Sequence, residues 1–413
     1  MTRKTDQNKT KGGDSPVVVG PQTEQMLLLG HPWVIEDRFT RQWPSLSSGE
    51  LVTLVSQSGQ SLATALADPG QRIVARVLGP PHLSLHRDWF REKVRRAQQL
   101  RQQHARLDGT TAYRVIHGEG DGLPGLTVER YEDYLMVQLY TRSWEPHLSG
   151  LVQALQEVLQ PAGIYEKFRP QETRELEKKG SKRFSRLLAG TPVPEGYRVR
   201  ENDLVYAVQL EEGLNTGLFM DQRANRRELM ARCQGKRVLN LFCYTGAFSV
   251  AAAAGGATRV TSVDASPHYL QQARENFGLN RINAKRHAFI CGDCFDVLPS
   301  LIDQGERFDL VIMDPPSFST TTKNRFTTQG GTARLVALSL DLLEEGGLLV
   351  TSSNHQKVEL ADYLKELRRG ALEAGCGLNV IHTAGQAEDF PCPVTFPEGR
   401  YLKYVMAVKG AGC

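Results

Sequence analysis

The half of the chain that begins near residue 236 alternates between strand-length apolar runs and helix-length amphipathic runs. This pattern predicts strands at 237–242, 260–263, 288–290, 310–313, 348–352 and 401–408, and helices at 247–254, 267–279, 332–345 and 358–374. Parallel strands need crossover connections, so the alternation predicts a parallel sheet that is covered by helices on both faces. Sheets of this kind bind ligands outside the carboxyl ends of their strands.

An aspartate follows three of these predicted strands. Asp264 ends the second strand, Asp293 follows the third, and Asp314 follows the fourth. A carboxylate at this edge can accept hydrogen bonds from ribose hydroxyls or from the amino group of a base. One aspartate at a strand end is more often a turn or a helix cap. Three along the same edge predict a nucleoside-binding site.

The loop after the first of these strands argues against a dinucleotide. Tyr244, Thr245 and Gly246 stand where the dinucleotide fingerprint G-x-G-x-x-G would need several glycines. A pyrophosphate needs the backbone to approach closely at several positions, and the side chains of this loop are too bulky for that. A smaller nucleoside-bearing ligand remains open.

The N-terminal half is organised differently. Strand-length runs at 51–55, 62–66 and 73–77 predict a small barrel or curled sheet, and a mixed pattern of helices and strands follows it. The charged stretch 168–200 contains three prolines, and we predict an exposed loop there. The predicted division is a basic disordered tail at 1–25, a small β-domain at 26–82, a central α+β domain at 83–214 and an α/β domain at 215–413.

The distribution of charge favours a polyanionic partner. The net charge is only +4, but residues 87–106 hold seven Arg or Lys against two acids, and residues 167–186 hold eight against three. Solvated helix faces would give the same pattern. Two such runs together with a basic N-terminal tail predict phosphate contacts, with Arg91 and Arg95 as candidate RNA-binding residues.

Several classes of protein are disfavoured by composition. The longest weakly polar run, 247–257, is far shorter than the roughly 18 apolar residues of a spanning helix, so we predict no membrane association. The N-terminus lacks the apolar core of a secretory signal, which predicts a cytoplasmic protein with free thiols. Cys291 and Cys294 supply two metal ligands where a structural zinc site needs four, so we predict no metal.

Several motifs resemble one known family. Asp314-Pro-Pro-Ser-Phe318, with the three strand-end aspartates, resembles the class I S-adenosylmethionine-dependent methyltransferases. More narrowly, residues 26 to 409 resemble the RNA methyltransferases of the large ribosomal subunit that carry an N-terminal PUA domain. Four further motifs carry this resemblance: His31-Pro32-Trp33, Gly118-Glu-Gly-Asp-Gly-Leu-Pro-Gly125, Thr216-Gly-Leu-Phe-Met-Asp-Gln-Arg223 and Phe396-Pro-Glu-Gly-Arg-Tyr-Leu-Lys403.

The resemblance implies a fold, a cofactor and a partner. The fold is α/β: a Rossmann-like domain with a seven-stranded sheet whose last strand is antiparallel, an N-terminal PUA-like β-barrel and a central α+β domain. The cofactor is S-adenosyl-L-methionine, and the partner is 23S ribosomal RNA or a large-subunit precursor. The barrel and the basic helix would hold the RNA while the target base is splayed into the pocket.

By motif match, the resemblance also implies where the cofactor binds. Asp264 would hold the ribose, Asp293 would lie near the adenine, and the loop 244–246 would lie near the methionine part. Phe219 and Arg223 would line the cofactor entrance. The cofactor-binding residues implied in this way are Phe219, Arg223, Phe242, Tyr244, Thr245, Gly246, Asp264, Asp293 and Asp314.

The target atom depends on one position. A cytosine C5 methyltransferase needs a cysteine thiolate that adds to C6 and activates C5. The related family places that cysteine just after the fifth strand, where this chain has Asn354. An amide cannot form the adduct. Cys392, in a late loop, is the one thiol that could substitute, although a packed cysteine is the more common situation.

Guanine N7 methylation is the interpretation that we favour. N7 carries an in-plane lone pair and needs orientation and exclusion of water rather than covalent activation. The predicted catalytic residues are Asp314, Pro315, Phe318 and Asn354, with Asp314 and Asn354 on the guanine edge and Phe318 stacked on the ring. An exocyclic amine target is also compatible with this motif. Residues 320–331, with Lys323 and Arg325 as RNA contacts, predict a mobile substrate loop.

Three alternatives stay open at this point. Cytosine C5 methylation remains the alternative chemistry, because the rest of the chain resembles the cytosine C5 and the guanine N7 methyltransferases equally. A methyltransferase for a small molecule or a protein would leave the N-terminal domain and the basic runs without a role. A non-catalytic RNA-binding module would leave the strand-end aspartates without one.

Overall fold

The computed structural model describes residues 15–167, 184–213, 215–316, 318–320 and 325–411. Within these ranges, the side chains of residue 15 and of residues 318–320 and 325–330 are not described. In this part of the chain, sheets of five, five and seven strands follow one another, and two short hairpins accompany them. Four apolar clusters form the core of the described residues, and one of them is shared by the central and the seven-stranded sheet.

The N-terminal sheet is small and curled. It consists of β1 (Ser15–Val18), β2 (Trp33–Ile35), β3 (Leu51–Val55), β4 (Ser61–Ala67) and β5 (Ile73–Gly79) in the order β1-β3-β4-β5-β2, and α1 (Pro21–Leu28) follows β1. The prediction of a disordered tail up to residue 25 is wrong for its last part. There β1 pairs in parallel with β3, and Val17 is buried in the core of this sheet. The first 14 residues of the predicted tail lie outside the described residues.

The central domain packs two helices against a mixed sheet. Its elements are α2 (Arg87–His104), β6 (Ala112–His117), β7 (Leu126–Tyr131), β8 (Tyr134–Leu139), α3 (Leu148–Leu159), β9 (Gly163–Lys167) and β10 (Ser185–Gly190), with strand order β10-β9-β8-β7-β6. The helical spacing of Phe90, Val94 and Ala97 is confirmed, because all three are buried in one cluster. Leu151 and Leu155 of α3 belong to the same cluster.

The charged stretch 168–200 is not simply an exposed loop. Its residues 168–183 lie outside the described residues, but β10 and β11 (Arg198–Glu201) fall within the stretch, and β11 forms a hairpin with β12 (Leu204–Ala207). β10 pairs antiparallel with β9, which places Arg186 opposite Glu166, and the two side chains form a salt bridge of 2.7 Å. The cross-strand ion pair accommodates the charge that suggested a loop.

The C-terminal half is the predicted α/β domain. Its elements are α4 (Arg223–Met230), β13 (Arg237–Leu241), α5 (Ala247–Ala254), β14 (Arg259–Asp264), α6 (Pro267–Leu279), β15 (Ala288–Cys291), α7 (Cys294–Asp303), β16 (Phe308–Met313), the hairpin β17 (Phe318–Thr320) and β18 (Arg325–Thr327), α8 (Thr328–Leu342), β19 (Leu343–Ser353), α9 (Leu360–Glu373), β20 (Gly377–Ala384) and β21 (Lys403–Gly410).

The seven-stranded sheet has the order β15-β14-β13-β16-β19-β21-β20. β21 runs antiparallel to both of its neighbours, as expected for the last strand. Successive residues of one strand are buried in different apolar clusters: Val238 lies on one face of the sheet and Leu239 on the other. Both faces are therefore covered, which explains why these strands are largely apolar rather than alternating. The predicted fold class is confirmed.

The strand order changes direction between β13 and β16. β14 and β15 continue the sheet on one side of β13, while β16 and β19 continue it on the other. The carboxyl ends of these strands thus flank a crevice, which is where sheets of this type hold their ligands. The three strand-end aspartates lie along this edge.

The region predicted as a mobile loop contains regular structure. β17 and β18 pair antiparallel, with Thr320 opposite Arg325, and α8 begins at Thr328 rather than at residue 332. The predicted start of this helix at residue 332 is therefore wrong, whereas the mobility of the segment 320–331 stays a prediction. Residues 321–324 lie outside the described residues.

A buried charge cluster joins the central and C-terminal domains. Asp389, between β20 and β21, accepts a hydrogen bond from the backbone N–H of Arg114 at 2.7 Å and pairs with Arg223 at 2.8 Å. The backbone oxygen of Asp389 accepts a hydrogen bond from Arg101, which also forms a bidentate salt bridge with Asp121. All of these side chains are at least nine-tenths buried, so the contacts fix the two domains against each other.

Candidate active site

A cavity of about 350 Å³ opens at the carboxyl ends of β13 to β16. Eight of the predicted site residues line it: Phe219, Phe242, Tyr244, Asp264, Asp293, Asp314, Pro315 and Asn354. Three of the predicted residues, Arg223, Thr245 and Gly246, are not in its wall. The side chain of Phe318 lies outside the described side chains. The sheet topology therefore brings together residues that are far apart in the sequence.

The loop after β13 has an unusual backbone. Phe242 and Tyr244 both have left-handed φ angles, 54° and 50°, which are uncommon for residues with a side chain. Strained backbone of this kind concentrates at functional sites. Two hydrogen bonds hold the loop in place: the N–H of Cys243 donates to Val263 O at 3.0 Å, and the N–H of Tyr244 donates to Asp264 Oδ2 at 2.9 Å.

Thr245 and Gly246 shape this loop instead of lining the cavity. The hydroxyl of Thr245 donates to the carbonyl of Gly217 at 2.6 Å, which ties the loop to the segment 216–223. Gly246 caps α5 with a φ of 78°, and a Cβ at this position would lie 2.7 Å from Cβ of Ala273. Only glycine therefore lets α5 and α6 approach at this point.

Asp264 is suited to hold a pair of hydroxyls. Its Oδ2 accepts from the N–H of Tyr244 and its Oδ1 from the N–H of Ser266, each at 2.9 Å. A carboxylate oxygen has two lone pairs, so each oxygen keeps one acceptor position for a ligand. Burial raises the pKa of Asp264, although both backbone hydrogen bonds oppose this shift. Tyr269 borders the same wall, with its ring 4.5 Å from that of Tyr244 between centroids.

Asp293 combines a structural role with a place in the cavity wall. It is the N-cap of α7, and its Oδ1 accepts from the N–H of Phe295 at 2.9 Å. The cap and the ligand-facing position are compatible, because a carboxylate has acceptor positions beyond the one that the cap uses. Phe295 lines the cavity beside it and offers an apolar surface.

Asp314 lies deeper, at the end of β16. The hydroxyl of Ser352 donates to its Oδ1, and the amide of Gln222 lies 3.4 Å and 3.5 Å from its two oxygens. Burial raises the pKa of Asp314 to about 6, and the charge of Asp221 acts in the same direction. Asp314 therefore ionises close to neutrality, unlike a solvated aspartate.

Neither Cys294 nor Cys392 supplies a ready thiolate. Cys294 lines the cavity, but burial raises the pKa of its thiol to about 12. Cys392 is not in the cavity wall; its thiol donates to the carbonyl of Phe396 at 2.9 Å, and burial raises its pKa as well. Asn354 follows β19 and occupies the cavity wall, as predicted.

The prediction that Arg223 lines the cofactor entrance is wrong. Its side chain is 1% exposed and pairs with Asp389 and Glu388, on the side that faces the central domain. The short 3-10 turn Met220–Gln222 lies between Phe219 and Arg223 and turns their side chains in different directions. Phe219 is half exposed and lies in the cavity wall, 5.3 Å from the ring of Tyr244.

Sequence reasoning missed several residues of the cavity wall: Asn215, Asp221, Gln222, Tyr269 and Leu402. Asp221 and Gln222 belong to the motif 216–223, which signalled the segment but not the direction of each side chain. Tyr269 follows the helix cap of α6 and carries no recognisable pattern. Leu402 approaches from the last loop of the chain.

The predicted RNA contacts are only partly described. Arg91 pairs with Asp88 and with Glu157, each at 3.1 Å, and Arg95 pairs with Glu92 at 2.9 Å. Exposed pairs of this kind are weak, so both arginines can exchange partners, and their contact with RNA stays a prediction. Lys323 lies outside the described residues, and the side chain of Arg325 outside the described side chains.

Comparison with protein families identifies the chain. The profile of the S-adenosylmethionine-dependent methyltransferases matches residues 113–393, and the profile of a PUA-like domain matches residues 17–80. The first match alone covers more than half of the chain. This protein belongs to the S-adenosylmethionine-dependent methyltransferases. The resemblance read from the motifs, including the N-terminal PUA-like domain, is confirmed.

Known relatives of this methyltransferase share its whole architecture. Ribosomal RNA large subunit methyltransferase I of Escherichia coli O139:H28 is 34% identical over 94% of this chain and 97% of its own length, and that of Shigella boydii serotype 18 has the same values. A methyltransferase crystallised with SAH superposes with a TM-score of 0.85 at 29% identity, over 95% of this chain and all of its own. An S-adenosylmethionine-dependent methyltransferase from Streptococcus mutans gives 0.82 at 29% identity, with the same coverage.

The cavity of this methyltransferase fits the cofactor of its family. The hydrogen-bonded Asp264 offers acceptors for ribose hydroxyls, and Phe242, Phe295 and Tyr244 offer apolar and aromatic surface in the same wall. Within the described residues, no group of three or more His, Cys, Asp or Glu side chains could hold a metal ion. Of the described helices, none is long and apolar enough to cross a bilayer.

Proposed function

We propose that this enzyme methylates a guanine in the RNA of the large ribosomal subunit, with N7 as the target nitrogen. The observation that carries the proposal is that Asn354 lines the cavity. From the resemblance we expect a cysteine at this position in a C5 methyltransferase. The identity of the relatives supports the RNA substrate, because they are named as large-subunit RNA methyltransferases and match the chain end to end. Action on ribosomal RNA would place the enzyme in the cytoplasm.

The cofactor, when bound, supplies an electrophilic methyl group on a sulfonium sulfur. The protein must then hold the guanine ring so that the lone pair of the nitrogen points at that methyl group, within about 3–3.5 Å. In our proposal, Asp264 and Asp293 hold the nucleoside part, while Asp314 and Asn354 hydrogen-bond the guanine edge. Pro315 restricts the backbone after Asp314, and Phe318 stacks on the base. Methylation of N7 releases no proton, so a general base is unnecessary.

Cytosine C5 methylation is the alternative that the cavity supports less well. Addition to C6 requires a nucleophile that is substantially ionised at neutral pH. The thiol that the described residues bring into the cavity wall is that of Cys294, and burial raises its pKa to about 12. At pH 7 such a thiol is almost entirely protonated, so covalent activation would be slow.

The N-terminal half supports a polymeric substrate. A PUA-like domain precedes the central domain, and the two are joined by a hydrogen bond of 2.8 Å from the indole of Trp33 to Glu119. A small-molecule substrate would not require this construction. We propose that the PUA-like domain and α2 hold the RNA backbone while the target guanine is unstacked into the cavity.

Mapping the product tests the proposal. The purified enzyme is incubated with labelled S-adenosylmethionine and with large-subunit RNA from a strain that lacks the gene, and the labelled nucleoside is identified by mass spectrometry. We expect a methylated guanosine, and Asp314→Asn should abolish the label. Labelled 5-methylcytidine would refute the guanine assignment. Equal labelling of RNA and of free guanosine would refute the need for a polymeric substrate.

Salt dependence provides a second test, of the RNA contacts. Neutralised phosphates release counterions, so the affinity for RNA should fall about tenfold or more between 50 and 200 mM salt. Arg95→Gln should weaken RNA binding and reduce this slope, because Arg95 is more than half exposed. Arg369→Gln serves as the matched control, since Arg369 is a similarly exposed arginine, on α9. A slope that is the same in both variants would argue against an RNA contact at Arg95.

A further inference from the structure

A second carboxylate, that of Asp221, lines the same cavity as Asp314. It sits in the 3-10 turn Met220–Gln222, directly before α4. Its Oδ2 accepts a hydrogen bond from the hydroxyl of Tyr401 at 2.8 Å, and its backbone oxygen accepts from the N–H of Ala387 at 3.0 Å. Tyr401 is the one side chain of the described residues that hydrogen-bonds this carboxylate. Its other oxygen, Oδ1, is thus available to a ligand.

The side-chain amide of Gln222, the residue after Asp221, is held in one orientation. Asn225 donates to the side-chain oxygen of Gln222 at 2.6 Å and to the carbonyl of Gly385 at 3.2 Å. Because the oxygen of Gln222 is engaged in this way, its NH₂ group faces Asp314. The donors at this end of the cavity are therefore used within the protein. What Asp221 and Asp314 offer to a substrate is acceptor capacity.

Two carboxylates select for a base that is rich in N–H groups. Guanine carries the ring N1–H and the exocyclic N2 amine side by side on one edge. Cytosine carries a single amine on the corresponding edge, followed by the lone pairs of N3 and O2. Those lone pairs would face the second carboxylate and repel it. The acceptor pair thus discriminates between the two candidate target bases.

We propose that Asp221 is a specificity-determining residue that, together with Asp314, accepts the N1–H and N2–H hydrogens of the target guanine. This inference rests on the proposed function and extends it to the recognition of the base. In this arrangement the edge that carries N7 stays clear of the two carboxylates. The methyl group can therefore reach N7 while the opposite edge is held.

The electrostatic surroundings of Asp221 agree with this role. Burial raises its pKa, and the charge of Glu129 acts in the same direction. The hydrogen bond from Tyr401 and the charges of Arg114 and Arg226 oppose the shift and favour the carboxylate form. A base that donates N–H hydrogens would stabilise the ionised form further, so that binding and ionisation reinforce each other.

The experiment compares guanosine with inosine, which lacks the N2 amine, at the mapped target nucleotide of a large-subunit RNA fragment. For the wild type we expect kcat/KM to be about 10–100-fold higher with guanosine, the effect of one hydrogen bond to a charged acceptor. Asp221→Ala should lower the rate with guanosine and bring the ratio to within about threefold of one. Tyr401→Phe keeps the carboxylate and should keep the preference for guanosine. Calorimetric binding of S-adenosylmethionine reports whether each variant is folded.

Two results would overturn the inference. One is equal rates of the wild type with guanosine and inosine. The other is an Asp221→Ala variant that binds the cofactor normally but keeps the wild-type ratio, whatever its absolute rate. Failure of the proposed function looks different, because the label would then appear in 5-methylcytidine with the unmodified fragment, before any comparison with inosine is made.

Discussion

Asp314, in the wall of the cavity, changes its protonation close to neutral pH. Burial and the nearby charge of Asp221 raise its pKa to about 6, whereas the hydrogen bond from Ser352 lowers it. The folded protein therefore binds this proton more tightly than the unfolded chain does. Its contribution to stability is fully present below the unfolded pKa of 3.8 and is lost as the pH rises through about 6. Acceptor function needs the ionised form, so activity and stability depend on pH in opposite directions.

This pKa predicts the acidic limb of the activity profile. The methylation rate should fall about tenfold per pH unit below about pH 6, because only the ionised Asp314 accepts hydrogen bonds from the base. Ser352→Ala removes a hydrogen bond that lowers the pKa, so the limb should move to higher pH. The matched control is Ser353→Ala, because the hydroxyl of Ser353 contacts the N–H of His355 and not Asp314. Single-turnover rates between pH 5 and 8 measure both, and a limb that Ser352→Ala leaves in place would contradict the assignment.

Asn354 gives the second prediction at the residue scale. In the proposed function its amide holds the guanine edge, and a buried hydrogen bond to a substrate contributes about 10-fold or somewhat more to kcat/KM. Asn354→Ala should lower methyl transfer by about 10–100-fold while the Kd for S-adenosylmethionine stays the same. Rapid-mix transfer assays and calorimetry separate the two effects. An unchanged rate of methyl transfer in this variant would show that Asn354 does not hold the target base.

At the scale of elements, the loop after β13 connects the parts of the site. Its strained backbone at Phe242 and Tyr244 persists because neighbouring elements hold it: β14 through Val263 and Asp264, and the segment 216–223 through Thr245. Conformations of this kind cost about 1–3 kcal/mol each and need such support. The cofactor site is thus prepared before the ligand arrives.

The contact between Thr245 and Gly217 can be tested directly. Thr245→Val keeps the shape of the side chain but loses the hydrogen bond to the carbonyl of Gly217, so the loop should loosen and the Kd for S-adenosylmethionine should rise about 5–20-fold. Thr245→Ser keeps the hydroxyl and should bind within about twofold of the wild type. Isothermal calorimetry measures both. Equal affinities of the two variants would show that the hydrogen bond does not support the loop.

Most elements of the C-terminal half could be predicted, and those that could not have physical reasons. The helix α7 escaped prediction because Pro299 interrupts its pattern, and proline is unfavourable inside a helix. β20 lies at the edge of the sheet, where its apolar residues Val380 and Ile381 are exposed and alternate with no regular period among polar residues. β1 is short and lies close to a charged tail. In each case, neighbours in space outweigh the local sequence pattern.

At the scale of the whole molecule, buried charges join the domains. Arg101 and Arg114 of the central domain and Arg223 of the C-terminal domain all contact Asp389. The aspartate lies in the connection between β20 and β21, which also carries Tyr401, the partner of Asp221. The central domain is therefore coupled through this connection to the wall of the cavity.

Removal of Asp389 should destabilise the protein strongly. Asp389→Ala leaves the buried guanidinium of Arg223 with only the more distant Glu388, at a cost of about 3–5 kcal/mol in the free energy of unfolding. Glu366→Ala, which breaks a pair with the largely exposed Arg369 on one helix, should change it by less than about 1 kcal/mol. Urea unfolding followed by fluorescence measures both. A small effect of Asp389→Ala would mean that the domains do not depend on this cluster.

The sequence by itself determined the α/β architecture, the edge of the sheet that carries the site and the aspartates along it. These features follow from the periodicity of apolar residues and from the rule that parallel strands end at one edge of the sheet. Both can be recognised in short stretches of the sequence. Tertiary structure alone decided that Arg223 faces the central domain, that Asp221 joins the cavity and that Asp314 ionises near pH 6. Burial and partners set these properties, and the partners are remote in sequence: Tyr401 lies 180 residues from Asp221.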